Sequence, residues 1–387
     1  MNEDKDTASR SASEAAGDND AVYQALRQRI DQLPVPYPPT ESGVELKLLK
    51  ALFTAEEARV ALHLSAIAEP VGTIHRRVPK MDRDRLASVL KRLAKKGAIV
   101  SGVTRVGSRP LRTYSLAPLV VGMFELQVDR LTPEFVRDFH DYLDQGFRAS
   151  IMEVRTAQMR TVPVRAELSA QRSVASYEDM HSYLATHPGP FAVINCVCRQ
   201  SAGLLGQACS TKSTHETCLM IGHVPSHGRE LSRDAILEIL NKCEREGHVL
   251  QPQNTRKPSF ICCCCRDCCE ILRNARKLPR PADAIPSAHR ASVDAALCSG
   301  CRACLKRCPM DAALMSDGTA IIDEGRCIGC GLCVATCPVN AISLGRRRPA
   351  PRTPRSSTLM YLRMYRDRWG PLRVIGLAVR GLLGRKI

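Results

Sequence analysis

The sequence predicts an α+β multidomain protein, and three observations carry the prediction. Residues 44–120 show helix-period apolar patterns followed by two strand-like runs. Residues 191–280 concentrate eleven of the nineteen cysteines. Residues 298–344 contain an internal repeat, in which Cys298 matches Cys327 and Cys308 matches Cys337. At 387 residues the chain is long enough for two or three domains. An apolar content of 44% supplies a core, while 4% aromatics and one tryptophan point to small packed units.

The opening stretch, MNEDKDTASRSASEAAGDND, is polar and acidic, without the basic start and apolar run of a secretory signal. No run of 18 uncharged apolar residues occurs, so no spanning helix is expected. These features predict a cytoplasmic protein, in which thiols stay reduced. Nineteen cysteines at short spacing then argue for metal over disulfides. The net charge of +17 is uneven: residues 345–387 hold twelve Arg or Lys and one Asp.

Residues 1–43 read as a disordered tail and linker, polar at first and then proline-rich in QLPVPYPPTESG. An ordered domain is expected over 44–120. Thr54 and Glu57 have capping-box spacing, and Asp82 is placed to cap a helix that Gly97 ends. Leu86, Val89, Leu90 and Leu93 give that helix one apolar face. AIVSGVTR and LRTYSL flank VGSRP as a hairpin. This order resembles a winged helix-turn-helix domain, with 82–96 in the recognition position. The resemblance implies DNA binding through Arg83, Arg85, Lys91, Arg92, Lys95 and Lys96, joined by Arg105, Arg109 and Arg112 of the wing. A solvated helix face used for protein docking is the other reading.

Residues 121–280 are expected to form a cysteine-rich α/β middle domain. Thr132 starts a helix in TPEFVRDFHDYLDQGF, VPVRAEL reads as a strand, and SYEDMHSYLATH as another helix. After Ser232, a helix places Ile236, Ile239, Leu240 and Cys243 on one face before Gly247. Cys243 is therefore a core residue in this reading.

The strongest signal lies in 290–345. Each repeat reads C-x2-C-x2-C-x3-C-P: Cys298, Cys301, Cys304 and Cys308 before Pro309, then Cys327, Cys330, Cys333 and Cys337 before Pro338. Three thiols at i, i+3 and i+6 in a tight loop can face one cluster, while the fourth lies too far round for it. The spacing resembles bacterial dicluster ferredoxins. The resemblance implies two [4Fe–4S] clusters in a ferredoxin-like domain, one on Cys298, Cys301, Cys304 and Cys337, the other on Cys327, Cys330, Cys333 and Cys308. Gly300, Gly329 and Gly331 are expected to let backbone N–H groups approach the sulfurs.

A second group of cysteines raises the question of a further centre. Cys196 and Cys198 precede Arg199. Cys209 and Cys218 follow, and ICCCCRDCCE holds Cys262 to Cys265, Cys268 and Cys269. Six thiols in eight residues make poor core filler, and near neighbours rarely reach disulfide geometry. A soft metal centre remains, an additional iron–sulfur cluster or zinc, with unliganded thiols as the plain alternative. Its candidate ligands are Cys196, Cys198, Cys209 and Cys218, with some of Cys262, Cys264, Cys265, Cys268 and Cys269. Arg199 reads equally as a counter-charge to thiolate or as a solvated residue. His215, His223 and His227 read as exposed loop residues. As a set these blocks resemble an incompletely characterised family of winged-helix plus cysteine-rich ferredoxin-like proteins. Position 263 would hold a small polar residue in that family, and positions 266 and 270 glycines; here they are Cys263, Arg266 and Glu270.

Residues 346–387 read as a basic linker and an amphipathic helical tail. Over 358–387, Arg373 and Arg380 share one face while Leu372, Ile375, Val379 and Leu382 form another. The expectation is peripheral contact with an anionic membrane or docking on a partner subunit.

The function expected is iron–sulfur electron transfer within a larger redox system, through redox partner proteins. The rivals are a redox-sensing DNA-binding regulator and an oxidoreductase with a catalytic cluster in the middle domain. No GxGxxG or GxxxxGKS loop occurs, which speaks against hydride chemistry of the chain's own.

Overall fold

A computed structural model describes residues 20–106, 109–164, 176–207, 209–211, 215–382 and 386. The chain divides into two compact units, residues 1–154 with 364–387 and residues 155–363. Both mix helix and sheet.

The first unit starts earlier than the sequence predicts. Residues 20–31 form a helix that buries Val22, Leu26 and Ile30, an i, i+4, i+8 stripe set among polar and alanine positions. The proline-rich stretch behind it is packed as well. Tyr37 is fully buried and donates its hydroxyl to the Glu45 carbonyl at 2.8 Å. The disordered-tail reading therefore fails for 20–43, because a few apolar side chains at helical spacing outweigh the average polarity. Residues 1–19 lie outside the described set.

Helices Val44–Leu52, Ala55–Ala61, Val71–His75 and Arg83–Lys96 follow. Thr54 and Glu57 close a capping box, with Thr54 N–H donating to Glu57 Oε2 at 2.9 Å and Glu57 N–H to Thr54 Oγ1 at 3.3 Å. Asp82 caps the fourth helix and Gly97, at φ 72°, ends it. Strands Ile99–Val106 and Arg109–Leu116 pair antiparallel, and Glu69–Pro70 adds to the far side of Arg109–Leu116. The half of Arg109–Leu116 next to the turn is exposed and the other half buried. Helix Pro133–Tyr142, capped by Thr132, packs on Val44–Leu52. Residues 121–154 thus belong to the first unit, and the expected boundary at 120 moves to Val154. At the other end of the chain, Arg368 donates to the Asp31 and Leu33 carbonyls at 2.6 Å and pairs with Asp31 at 2.9 Å.

The second unit holds a five-stranded antiparallel sheet. Its order is Arg229–Leu231, Phe191–Asn195, Glu216–Ile221, Phe260–Cys264, Val249–Pro252. Helices Arg233–Glu246 and Met180–Thr186 pack against each other, the first also lying on the sheet. The expected strand at VPVRAEL reduces to one bridge between Val162 and Leu250; residues 165–168 lie outside the described set.

The internal repeat is visible in the strands. Ala313–Ser316 pairs with Thr319–Ile322, and His289–Val293 pairs with Ile342–Arg346. The same shift that carries Cys298 onto Cys327 carries His289–Val293 onto 318–322 and Ala313–Ser316 onto 342–345. One apolar core runs through both parts of this unit, joining Leu219, Ile236, Leu240 and Ile261 of the sheet layer to Met310, Ile328 and Leu344 of the repeat.

Candidate metal centres

The eight cysteines of the repeat gather at two cavities. One is lined by Cys308, Cys327, Cys330 and Cys333, the other by Cys298, Cys301, Cys304 and Cys337. Each cavity takes three thiols from one repeat and the fourth from the other. Glycines make the close loops possible. Gly300 and Gly329 have φ of 67° and 64°, and a Cβ on Gly329 would sit 2.2 Å from the His289 carbonyl oxygen.

Backbone amides point at the sulfurs, and they too follow the repeat. Ala312 donates to Cys308 and Ala341 to Cys337, both at 3.2 Å. Ala291 donates to Cys327 and Ala320 to Cys298, both at 3.4 Å. The bonds from Ala320 and Gly300 hold the Cys298 thiol below its ordinary range. Burial pushes Cys330 and Cys333 the other way. Sulfurs grouped in fours and hydrogen-bonded by amides fit an iron–sulfur cluster.

The strand Phe260–Cys264 and the turn after it send the thiols of ICCCCRDCCE to three places. Cys262 and Cys264 project from one face of the strand. Cys262 stands opposite Cys218 on the neighbouring strand. These thiols continue a contiguous run in which Cys218 neighbours Cys262, Cys262 neighbours Cys264, Cys264 neighbours Cys269, Cys269 neighbours Cys198 and Cys198 neighbours Cys196. Cys269 and Cys196 are brought in as the N-caps of helices Glu270–Arg276 and Val197–Leu204. The Gln251 amide donates to Cys269 at 3.8 Å. The hydrogen bond with Cys198 and then burial raise the Cys196 thiol well above its ordinary range; Cys218 does the same to Cys262, and Cys262 to Cys264. Six thiols gathered this closely, Cys264 and Cys269 buried and the other four half-buried, cannot all ionise unless a multivalent cation joins them.

Cys263 points to the opposite face, where it lies beside Cys243 of helix Arg233–Glu246 in the apolar core. Cys243 is 2% exposed, a core residue as its spacing indicates. Cys265 and Cys268 form a third group with Cys209, packed on Ala202. Asp267 joins this group, and sequence reasoning missed it; its signal was a carboxylate held between cysteines in CRDC.

Arg199 is buried, not solvated, and sits 2.8 Å from His248 Nε2. Burial opposes its charge, but Cys265, Cys196 and Cys209 together outweigh it, so the guanidinium keeps its proton more firmly than usual. His215, His223 and His227 are exposed, as their loop setting indicates.

A family profile described as a 4Fe-4S binding domain matches residues 320–343. No curated protein matches the chain, and no solved structure matches it. The match supports an iron–sulfur, ferredoxin-like domain within the chain. Among the described residues, no helix is long and apolar enough to cross a membrane.

Proposed function

We propose that the protein is an electron carrier with two [4Fe–4S] clusters in the repeat and a further iron–sulfur centre in the middle sheet, acting as a component of a larger redox system. The observation that carries this reading is the crossed lining of the two cavities, three thiols from one repeat and one from the other. Cys298, Cys301, Cys304 and Cys337 would hold one cluster; Cys327, Cys330, Cys333 and Cys308 the second. Cys196, Cys198, Cys218, Cys262, Cys264 and Cys269 supply sulfur for the third. Clusters bound there supply one-electron redox chemistry. The chain's own part is to aim amides at the sulfurs, exclude water and fix the spacing.

The first unit supports a docking role in this reading. Its helix and hairpin order resembles that of a winged helix. Arg85 is drawn to Glu56, and Arg92 and Lys96 to Glu57, which favours protein docking over phosphate contact on that helix face. The terminal helix Pro371–Leu382 leaves Leu372, Ile375 and Val379 exposed, a face suited to an anionic membrane or a partner subunit.

The test is iron and sulfide analysis of protein purified without air. The two clusters of the repeat require about eight of each per chain, and the middle centre adds to that. Fewer than about six would overturn the reading. Cys333→Ala should remove one cluster's share and leave the other's spectrum in place.

A further inference from the structure

We propose that Cys209, Cys265, Cys268 and Asp267 form a mononuclear zinc site, separate from every iron–sulfur centre of the chain. Each residue offers one ligand atom, and the four atoms all lie within 4.8 Å of one another. Cys209 Sγ is 3.6 Å from Cys265 Sγ and 3.9 Å from Asp267 Oδ1. Tetrahedral zinc with Zn–S bonds of about 2.3 Å spaces its sulfurs by about 3.8 Å. A cubane sets four irons between its thiolates and needs wider spacing than this. The separation of the ligand atoms thus selects one ion over a cluster.

The donors are built for the task. Cys265 and Cys268 are both 2% exposed. Asp267 is oriented by the Ser210 amide, which donates to Oδ2 at 2.5 Å and leaves Oδ1 facing the sulfurs. Behind them runs a polar chain: Thr211 Oγ1 lies 3.1 Å from Cys209 Sγ and 3.2 Å from His248 Nε2, and His248 in turn meets Arg199. Three thiolates and a carboxylate around Zn2+ leave two negative charges, and Arg199 offsets one of them. Binding releases the thiol protons to solvent, with no change of oxidation state.

The site does not depend on the iron–sulfur reading, and the two can fail separately. The full chain is grown in zinc-replete medium, purified without air and assayed for zinc and iron together. The expected result is about one zinc per chain, lost in Cys209→Ser and Cys268→Ser while iron is unchanged. Wild-type zinc below about a fifth of an atom per chain would overturn the proposal, and so would a matching loss of iron in either variant. Iron absent from a chain that keeps its zinc would instead count against the proposed function alone. X-ray absorption at the zinc edge keeps the test open should the variants not fold. Three sulfurs at about 2.3 Å and one oxygen at about 2.0 Å are expected. Four sulfurs without oxygen would refute the Asp267 assignment.

Discussion

The backbone N–H of Ala320 points at the sulfur of Cys298, 3.4 Å away. Ala291 and Cys327, the matching positions of the internal repeat, make the same contact at the same distance. An amide aimed at a thiolate favours the more negative, reduced state of the cluster that thiolate holds. Ala320→Pro deletes the donor. A neutral hydrogen bond is worth about 1 kcal/mol, or about 40 mV for one electron. The expected outcome is a fall of that order in one cluster's potential, read by redox-poised EPR, with iron content unchanged. Ala291→Pro should move the other cluster instead.

Gly329→Ala should be far more damaging than its size indicates. The new Cβ would meet the His289 carbonyl oxygen at 2.2 Å, and φ there is 64°. A backbone atom cannot rotate away, so a loss of about 2–4 kcal/mol and reduced iron retention are expected. Gly203→Ala is the control: nothing lies within 4 Å of its Cβ, and it should be neutral or slightly stabilising in thermal unfolding.

Neighbouring thiols on one strand should behave oppositely. Cys264→Ala removes a member of the six-thiol group and is expected to lower iron by about four atoms per chain. Cys263→Val faces Cys243 in the core, and should keep full iron at a cost under about 1.5 kcal/mol. Equal iron loss from both variants would contradict the division of the strand.

Glu57 makes the first unit sensitive to acid. Burial alone would raise its carboxyl pKa, but hydrogen bonds from Lys96 and Thr54 outweigh this and hold it below its ordinary value. Its stabilising effect is therefore complete above the unfolded pKa of about 4.3 and is lost as pH falls through the folded value. Glu57→Gln keeps the cap but drops the charge. Amides of helix Ala55–Ala61 should exchange hydrogen faster than wild type at pH 7, by a factor of about 5 for a loss of about 1 kcal/mol. The difference should shrink as pH falls below the unfolded value and vanish below the folded one.

What could be read in advance followed from local chemistry. Thr54, Asp82, Thr132 and Ser232 cap their helices because a short side-chain oxygen before an apolar periodic run has few other uses. The eight thiols of the repeat were legible because their spacing fixes their geometry. The helix over 20–31 was not, because its apolar stripe is diluted among polar residues. Arg199 remained undecided because its burial depends on His248, far away in sequence. The division of ICCCCRDCCE needed the partners of each thiol, Cys218 from one strand, Cys243 from a helix and Cys209 from a loop. None of them is close in sequence.

Strand Phe260–Cys264 gives the count of residues a chemical meaning. One residue inserted before Cys262 would turn the strand over, handing Cys263 to the six-thiol group and sending Cys262 and Cys264 toward the helix. Every thiol would still be present, yet the metal inventory would be scrambled. A substitution in this segment alters one thiol, whereas a change of length redirects them all.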